Sequence, residues 1–383
     1  MKNLSFLFIV CALFFSCKSP PVKNIEKIEP AEDEKISFLF LGDIMAHKPN
    51  FSMKDYDKIW ADIKPIIQKC DISFANIETP VDDTKDFSSF PNFNIKNDYA
   101  KAFLDAGINV FSLANNHTND QGVSGIKNTF LWAKKIKENQ NNIYFSGINE
   151  KENSPISYEI INHNGWKIIF CAVTEILNRP DGKEYINFVK YSESGRKKII
   201  QFVKNLKETE NPDLIILSIH TDEPEYIQKV SESRKKYYHE LLKNGADVIW
   251  ANHPHVIRER ELIIDSQTQK TKKIILYGNG NTISGQRWDP DFKNPKNPRD
   301  YTGDGLMFFA EFSKNPLTKE IFISQTKPYF ITTYINTAWN FVIKMLDDDF
   351  INYLEENKRS EWASYIQKRK EISEKTKENI VWQ

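Results

Sequence analysis

The sequence predicts an α/β fold in which short buried strands alternate with helices. Apolar runs recur along the chain, and each ends in polar residues that can carry chemistry. Segments of helical character lie between them, including 98–106, 124–138 and 231–244. In such folds the carboxyl ends of neighbouring strands meet at one edge, so we expect the polar side chains to converge in one crevice. The runs are ISFLFLGD, CDISFANIETP, INVFSLANNHTND, KIIFCAVTE, DLIILSIHTDE, ADVIWANHPH and KIILYGNGN.

Composition limits the partners that the chain can have. With 383 residues, 40% of them hydrophobic, the chain can bury a sizeable core. Lys plus Arg and Asp plus Glu number 52 each, so no overall field attracts a polyanion. We therefore predict no nucleic-acid partner, and any anionic substrate has to be held by local charge.

The first residues have the pattern of a bacterial export signal. Lys2 precedes an apolar run over 4–15, which is short for a permanent transmembrane helix, and Ser16-Cys17 follows. We predict a signal peptide at 1–16 and lipid modification of Cys17, which would place the protein outside the cytoplasm, anchored to the membrane. Plain secretion is the alternative. Residues 17–35, with three prolines among alternating charges, are expected to form the anchor cysteine and a flexible linker.

The rest of the chain divides into a main domain at 36–316 and a C-terminal part at 317–383. In the latter, residues 320–336 are expected to supply edge strands. A helical portion from Asp347 to Lys377 is expected to pack on the domain through Tyr353, Trp362 and Tyr365.

Two cysteines, Cys70 and Cys171, remain outside the signal and the anchor. Each lies beside apolar residues, and neither has the spacing of a zinc site. Buried free thiols are the favoured interpretation, with a disulfide as the alternative.

The histidines indicate a metal site. A lone histidine is more often structural than a ligand, but five of the seven in this chain lie at or beside strand ends. In His253-Pro254-His255 the two imidazoles point to the same side of a strand end and can reach one metal or two neighbouring ones. Imidazoles together with carboxylates and an amide suit zinc, manganese or iron better than calcium. The five strand-end histidines are His47, His117, His220, His253 and His255.

Several motifs resemble a known family. The order Gly-Asp, an acidic residue, Asn-His, His and His-x-His resembles the calcineurin-type metallophosphoesterase superfamily. The motifs are most similar to its CapA-like branch, the poly-gamma-glutamate capsule biosynthesis proteins. The resemblance covers roughly residues 36 to 312. The motifs are LGDIMAH (41–47), FANIETP (74–80), SLANNHTNDQGVSGIKNT (112–129), FSGIN (145–149), GADVIWANHPHVI (245–257) and LYGNGNTISGQ (276–286).

This resemblance implies a metallophosphoesterase-like four-layer αββα sandwich with a helical C-terminal extension. It also implies two divalent metal ions, manganese, zinc or iron. His117 would orient substrate or protonate a leaving group, with Asp120 holding its ring. The implied ligands are Asp43 and His255 for one ion, Asn116, His220 and His253 for the other, and Glu78 between them.

The chain departs from the family pattern at two places. The superfamily usually has Asp-x-His in its first motif, whereas His47 lies four residues after Asp43. His47 is therefore a candidate ligand, a residue that supports a ligand, or a substrate contact. After His220 the chain lacks the usual Trp-Gly, so we expect a different pocket wall there.

Other polar residues near the motifs have two interpretations each. The Gly278-Asn279-Gly280-Asn281 segment is more typical of a tight turn than of a phosphate loop, with Asn281 as a candidate contact. Three arginines near strand ends are either surface residues or anion-holding groups. They are Arg179, Arg258 and Arg287.

The leading functional hypothesis is a lipid-anchored, metal-dependent hydrolase that cleaves a phosphoester or a gamma-glutamyl amide. Its resemblance ties it to the synthesis, processing or export of a capsule-like anionic polymer such as poly-gamma-glutamate. The alternative is a non-catalytic, metal-binding accessory lipoprotein that binds the polymer or a membrane-bound synthase. A weaker third hypothesis is a phosphodiesterase of cell-wall or nucleotide substrates.

Overall fold

The computed structural model of the protein describes residues 32–383. The predicted signal peptide, the predicted lipidation site Cys17 and most of the predicted linker lie outside the described residues. The first strand begins at Glu34, so the last two residues of that linker belong to it. Within 32–383 no helix is long and apolar enough to cross a membrane.

Fifteen strands and nine α-helices alternate along the described chain. The strands are β1 (Glu34–Ile44), β2 (Ile72–Ile77), β3 (Val110–Ser112), β4 (Tyr144–Ser146), β5 (Glu159–His163), β6 (Trp166–Thr174), β7 (Leu214–His220), β8 (Val248–Asn252), β9 (Arg260–Ile264), β10 (Thr271–Leu276), β11 (Asn281–Ile283), β12 (Asp304–Lys314), β13 (Ile321–Ile335), β14 (Phe341–Met345) and β15 (Glu378–Trp382). The helices are α1 (Lys48–Phe51), α2 (Asp57–Trp60), α3 (Lys64–Ile67), α4 (Asn97–Ala106), α5 (Gly122–Asn139), α6 (Glu193–Glu210), α7 (Glu232–Lys243), α8 (Asp348–Glu356) and α9 (Ser360–Ser373), with short 3₁₀ helices at Lys183–Tyr185 and Pro298–Gly303.

Local sequence signals set the bounds of the longer helices. The Ser192 hydroxyl accepts a hydrogen bond from the Gly195 amide, which caps the start of α6. Ser231 caps α7 in the same way, through the Arg234 amide. Gly107, with φ of 108°, ends α4 in the left-handed conformation that glycine adopts without strain.

The fifteen strands form one hydrogen-bonded sheet, and eleven of them follow the order β4-β3-β2-β1-β12-β13-β10-β8-β7-β6-β5. The other four pair beside this path, β11 with β1, β14 with β13, β9 with β10 and β15 with β9. Strands β1 to β4 are parallel to one another, as are β6, β7, β8 and β10. Strands β12 and β13 connect the two parallel sets within the sheet. The pairing of β13 with β10 is short and consists of Thr271 opposite Ile323. This narrow junction lets the sheet fold into two halves.

The two halves pack face to face. The Trp250 indole of β8 donates a hydrogen bond to the Leu41 carbonyl of β1 at 2.8 Å. Phe74 of β2 lies 5.6 Å from Phe170 of β6, measured between ring centroids. This contact places a dry aromatic layer between the two halves of the sheet.

Helices cover both outer faces. Phe103 of α4 packs on Phe111 of β3, and side chains of α6 and α7 form a separate core on the outside of β6, β7 and β8. Alternate residues on these strands point to opposite faces, so Phe170 belongs to the inner core and Cys171 to the outer one. The predicted four-layer αββα sandwich is confirmed.

The C-terminal part differs from the prediction in detail. Strand β13 is not an edge strand, because it pairs along its length with β12 and also with β14. Trp362 and Tyr365 are buried as expected, but Tyr353 is 50% exposed and does not anchor the helices. The last residues form β15, which pairs with β9 and was not predicted.

Cys70 and Cys171 are both free, as the favoured interpretation required. Cys171 is buried, and Cys70 is only partly buried. Burial raises the pKa of the Cys70 thiol to about 11, so neither position provides a reactive thiolate at neutral pH.

Candidate metal centre

The carboxyl ends of strands from both halves of the sheet meet at one rim. Asp43 lies near the end of β1, and Glu78 directly follows β2. Asn116 is in the loop after β3, His220 ends β7, and His253 directly follows β8. Parallel strands in each half bring these residues to the same edge, as the sequence predicted.

The structure brings the six predicted ligands together. Two groups of side chains each have their potential ligand atoms within 4.8 Å of one another, and Glu78 belongs to both. The Glu78 Oε1 atom lies 3.8 Å from Nε2 of His255 and 3.6 Å from Nε2 of His220. The Asn116 Oδ1 atom is 2.9 Å from the same His220 nitrogen. The first group is Asp43, Glu78 and His255, and the second is Glu78, His220 and His253.

Unpaired polar atoms show that this cluster fits cations. Both Glu78 oxygens, Asp43 Oδ2, and Nδ1 of His253 and His255 are buried and form no hydrogen bond among residues 32–383. Asp43 Oδ2 and His255 Nδ1 lie 3.3 Å apart but are not aligned for one. Burying unpartnered polar groups costs free energy, and an unpaired carboxylate costs the most. The donors are two carboxylates, three imidazoles and an amide, a set suited to zinc, manganese or iron. The residues therefore fit metal binding, in two groups of potential ligands that share Glu78.

The backbone at His253 is also unusual. Its φ is 92°, a left-handed value that costs a residue with a side chain of order 1–3 kcal/mol. Such strain concentrates at functional sites, where the surrounding structure holds it in place.

Burial and mutual repulsion shift the ionisation of the cluster. Burial, and then the neighbouring Asp43 and Glu225, hold the pKa of Glu78 well above its usual range. Burial and the nearby imidazoles hold the pKa values of His220 and His253 well below theirs. His220 and His253 are thus neutral, which is the form that binds a metal ion.

His117 and Asp120 form the predicted pair beside the cluster. The His117 Nδ1 atom is 2.7 Å from Oδ2 of Asp120, which also accepts a hydrogen bond from the Phe93 amide. The Phe93 ring packs edge-on against the imidazole, at 4.7 Å between centroids. Asn178 Nδ2 lies 3.2 Å from the same His117 nitrogen. The ring of His117 is therefore fixed in orientation.

His47 lies outside both ligand groups. Its Nδ1 accepts a hydrogen bond from the Gly285 amide at 3.1 Å, and its ring packs edge-on against Phe93. Burial, together with His255 and His117, lowers the pKa of His47 to about 3. Its position in the wall of the adjoining cavity fits the predicted substrate contact, which stays a prediction.

Asn281 holds a turn. Its amide nitrogen donates hydrogen bonds to Ser284 Oγ at 3.1 Å, to Gln286 Oε1 at 2.8 Å and to the Thr302 carbonyl at 2.9 Å. Asn281 is also the register partner of Asp43 in the pairing of β11 with β1. These bonds fit the predicted tight turn beside the centre.

A cavity of about 470 Å³ opens directly beside the cluster. His117 and His255 line it from the metal centre, so a bound molecule would reach both. The other residues that line it are Met45, His47, Phe90, Glu225, Tyr226, Gly285, Gln286, Trp288, Pro298, Arg299 and Thr302.

Sequence reasoning missed several of the site residues. Asn76 donates a hydrogen bond to Asp43 Oδ1 at 2.8 Å and lies 3.4 Å from Nδ1 of His220. It precedes Glu78 by two residues on a strand, and the two-residue period of strands could have found it. Glu225 and Arg299 carried no local signal, because long-range packing brings their loops to the cavity.

The three arginines that were predicted to be surface residues or anion-holding groups differ in their burial. Arg258 and Arg287 are buried, so neither is a surface residue. Arg258 pairs with Glu223, and Arg287 pairs with Asp304 at 2.9 Å, so each already has an acidic partner. Only Arg179 is partly exposed, and it pairs with Asp181 at 3.2 Å. None of them lines the cavity.

A sandwich of this kind, with a buried cluster of potential metal ligands at the shared rim of its sheet halves, defines an α/β protein with a candidate metal centre. A family model described as "Bacterial capsule synthesis protein PGA_cap" matches residues 37–286. The chain therefore belongs to this capsule synthesis family, and the predicted family is confirmed.

Two curated relatives carry the same family's name. The chain is 28% identical over 280 residues to "Capsule biosynthesis protein CapA" of Bacillus anthracis, covering 70% of this chain and 65% of that protein. It is 24% identical over 286 residues to "PGA biosynthesis protein CapA" of Bacillus subtilis (strain 168), covering 73% and 71%. The first match thus spans just under two thirds of the relative's length.

Solved structures with a related arrangement are more distant. One is described as a novel phosphatase of Mycoplasma pneumoniae, with a TM-score of 0.45 and 14% identity, covering 78% of this chain and 94% of that one. Another is a hypothetical protein from Thermus thermophilus, with a TM-score of 0.44 and 14% identity, covering 77% and 98%.

Proposed function

We propose that this capsule synthesis protein is a metal-dependent hydrolase that cleaves a phosphoester or a gamma-glutamyl amide. The observation that carries the proposal is the cluster of unpaired buried ligands around Glu78, with the fixed His117 beside it and a cavity open to both. A purely structural histidine cluster would satisfy its own polar atoms. This one presents them to a ligand.

The residues that would hold two divalent cations are the six that the sequence predicted, with Glu78 placed to reach both. When bound, such a pair lowers the pKa of a bound water towards neutrality and offsets negative charge on the reacting group. Asn76 holds Asp43 by a hydrogen bond to Oδ1, which leaves Oδ2 free to act as a ligand atom.

His117 would transfer a proton to the leaving group of the substrate. Because the Asp120 carboxylate holds Nδ1 at 2.7 Å, Nε2 is the nitrogen that would face substrate, and the Asn178 amide nitrogen lies 3.4 Å from it. A protonated His117 donates from Nε2 to the leaving group, and the Asp120 carboxylate stabilises the charged ring before it does so. Phe93 keeps the imidazole from rotating away.

Charge at the site favours an anionic substrate. The ligand set contains only two carboxylates, fewer negative charges than two divalent cations carry positive ones. The cavity wall contributes one basic residue, Arg299, and one acidic residue, Glu225, so the excess positive charge would come from the bound cations. The substrate we propose is therefore an anionic, capsule-like polymer such as poly-gamma-glutamate, handled during its synthesis, processing or export.

We also propose that the protein works outside the cytoplasm, anchored to the membrane through lipid on Cys17 and close to a membrane-bound polymer synthase. The support is the apolar run at 4–15 followed by Ser16-Cys17. Metabolic labelling with a palmitate analogue tests it. Wild-type protein should be labelled and pellet with membranes, whereas Cys17→Ala should lose the label. Equal labelling of both proteins would contradict the anchor.

Purified protein tests the hydrolase proposal. It should contain about one to two equivalents of transition metal, as a two-metal site requires. It should also hydrolyse bis-p-nitrophenyl phosphate or poly-gamma-glutamate. Folded protein free of metal, or metal-loaded protein without turnover on either substrate, would contradict the proposal. The second result would favour the accessory lipoprotein.

A histidine pair provides the matched variants. His117→Asn should retain the metal and lose most of the turnover. His163→Asn removes a half-exposed histidine in β5 and should behave as wild type. Equal activity of the two variants would remove His117 from the mechanism.

A further inference from the structure

One wall of the cavity comes from a segment that follows the end of the family match. The match ends at residue 286, whereas Trp288, Pro298, Arg299 and Thr302 all line the cavity. This wall is therefore a feature of this chain beyond the part that defines the family. His117 and His255 of the candidate metal centre line the same cavity as this wall.

Arg299 is the free cation of this wall. In the described part of the chain its guanidinium forms no ion pair with a carboxylate, unlike the guanidinium groups of Arg258 and Arg287. Its backbone is held, because the Arg299 amide donates to Asn297 Oδ1 at 3.2 Å and the carbonyl accepts from Thr302 Oγ1 at 2.7 Å. The main chain is thus fixed while the charge remains available.

Aromatic side chains surround the same cavity. Trp288 is 48% exposed, Tyr226 is 51% exposed and Phe90 is 70% exposed, which is unusual for large apolar residues. All three line the cavity. Burial and the neighbouring Glu225 raise the pKa of Tyr226, and Arg299 is close enough to oppose this rise. Exposed aromatic residues that converge on a mainly apolar cavity with a few polar groups mark a binding surface.

The wall is anchored from behind by the C-terminal helix. Arg287 donates to Asp304 Oδ1 at 2.9 Å, and Arg369 of α9 donates to Oδ2 of the same carboxylate at 2.7 Å. The Tyr365 hydroxyl donates to Asp300 Oδ2 at 3.0 Å. The segment 287–304 is therefore fixed at both ends by buried ionic contacts, which preorganises it for binding.

We infer that Arg299 and Trp288 form a subsite for a second anionic group of the substrate, next to the group that reacts at the metal centre. This inference rests on the proposed function. A guanidinium group pairs in bidentate fashion with a carboxylate or a phosphate, and the indole face packs on the carbon chain between the anions. The subsite selects chains that carry repeated anionic groups over single small anions.

Binding measurements on metal-loaded full-length protein test the subsite without relying on turnover. The probes are inorganic phosphate, which carries a single anionic group, and penta-gamma-glutamate, which carries several. Wild-type protein should bind the pentamer more tightly than phosphate. Arg299→Ala should weaken pentamer binding by about 10- to 100-fold, the loss of one charged hydrogen-bonded contact, and should leave phosphate binding unchanged.

The controls use the same loop. Lys296→Ala removes an exposed positive charge that does not line the cavity and should leave both affinities unchanged. Arg299→Lys should restore only part of the pentamer affinity, because lysine lacks the bidentate fork. Trp288→Ala should weaken pentamer binding alone.

The outcomes separate the two proposals. Equal pentamer affinity of Arg299→Ala, Lys296→Ala and wild type overturns the subsite, as does a wild-type protein that prefers phosphate. In either case phosphate binding at the metal centre would leave the proposed function standing. Protein that binds neither metal nor phosphate would contradict the proposed function itself.

Discussion

Two buried polar clusters lie near the cavity, and they differ in how their charges are compensated. In the Asp304 cluster, each carboxylate oxygen accepts from an arginine, Arg287 or Arg369, and Thr332 adds a hydroxyl donor. In the Glu78 cluster, both carboxylate oxygens and the neighbouring Asp43 Oδ2 have no hydrogen-bond partner in the described part of the chain. Both clusters are almost fully buried.

The difference separates a structural role from a ligand-binding one. A buried charge with a partner in the chain stabilises the folded protein. A buried charge without such a partner lowers the free energy of unfolding until a ligand binds and compensates the charge. We therefore expect substitutions in the two clusters to change stability in opposite directions.

The largest effect is expected in the paired cluster. Arg369→Met leaves Asp304 with one arginine and should lower the free energy of unfolding by about 3–5 kcal/mol, the range for breaking a buried ion pair. Lys368→Met removes an exposed partner of Glu371 on the same helix and should cost about 1 kcal/mol or less. Denaturant unfolding compares the two variants, and an equal small loss would show that the paired cluster is not structural.

Cations should have the next largest effect, and only through the unpaired cluster. Manganese at about 100 times its dissociation constant should raise the stability of metal-free protein by about 2.7 kcal/mol. Asp43→Asn should lose most of this gain, while Lys368→Met should keep it. Thermal unfolding with and without chelator measures the gain. A gain that survives in Asp43→Asn would place the cation elsewhere.

In metal-free protein, a substitution in the Glu78 cluster should raise stability, whereas the substitution in the Asp304 cluster lowers it. Glu78→Gln replaces a buried, unpaired carboxyl by a neutral group of the same shape. At pH 8 this should raise the stability of metal-free protein by about 1–3 kcal/mol. The same variant should lose metal binding. A destabilised metal-free Glu78→Gln would mean that the carboxylate has a stabilising partner in solution.

A smaller effect is expected next to the centre. Asp120→Asn keeps the shape of the side chain but weakens its hold on His117, so kcat should fall by about tenfold at unchanged metal content. The ratio of kcat in Asp120→Asn to kcat in wild type measures this. Unchanged kcat would show that the orientation of His117 does not limit turnover.

The sequence was sufficient for the parts of the site that lie at strand ends. Asp43, Glu78, His220, His253 and Asn116 each follow an apolar run, and parallel pairing brings the ends of such runs to one edge. The periodic helices α4, α5 and α7 were predicted for the same reason, since their signals are local.

Features that depend on distant partners could not be predicted. Arg287 was expected to be a surface residue or an anion-holding group because its partner, Asp304, is 17 residues away and gives no local signal. Strand β15 pairs with β9 at a separation of more than one hundred residues, so its terminal position alone did not suggest a strand. Trp288 and Arg299 line the cavity in a loop that α9 holds through contacts 65 residues apart in the sequence.

Crystals of the protein grown with manganese, measured at a wavelength where manganese scatters anomalously, test the two-cation centre most directly. We expect two anomalous peaks. One lies among Asp43, Glu78 and His255, and the other lies among Glu78, Asn116, His220 and His253. Well-ordered protein with no peak within bonding distance of Glu78 would contradict the two-cation centre.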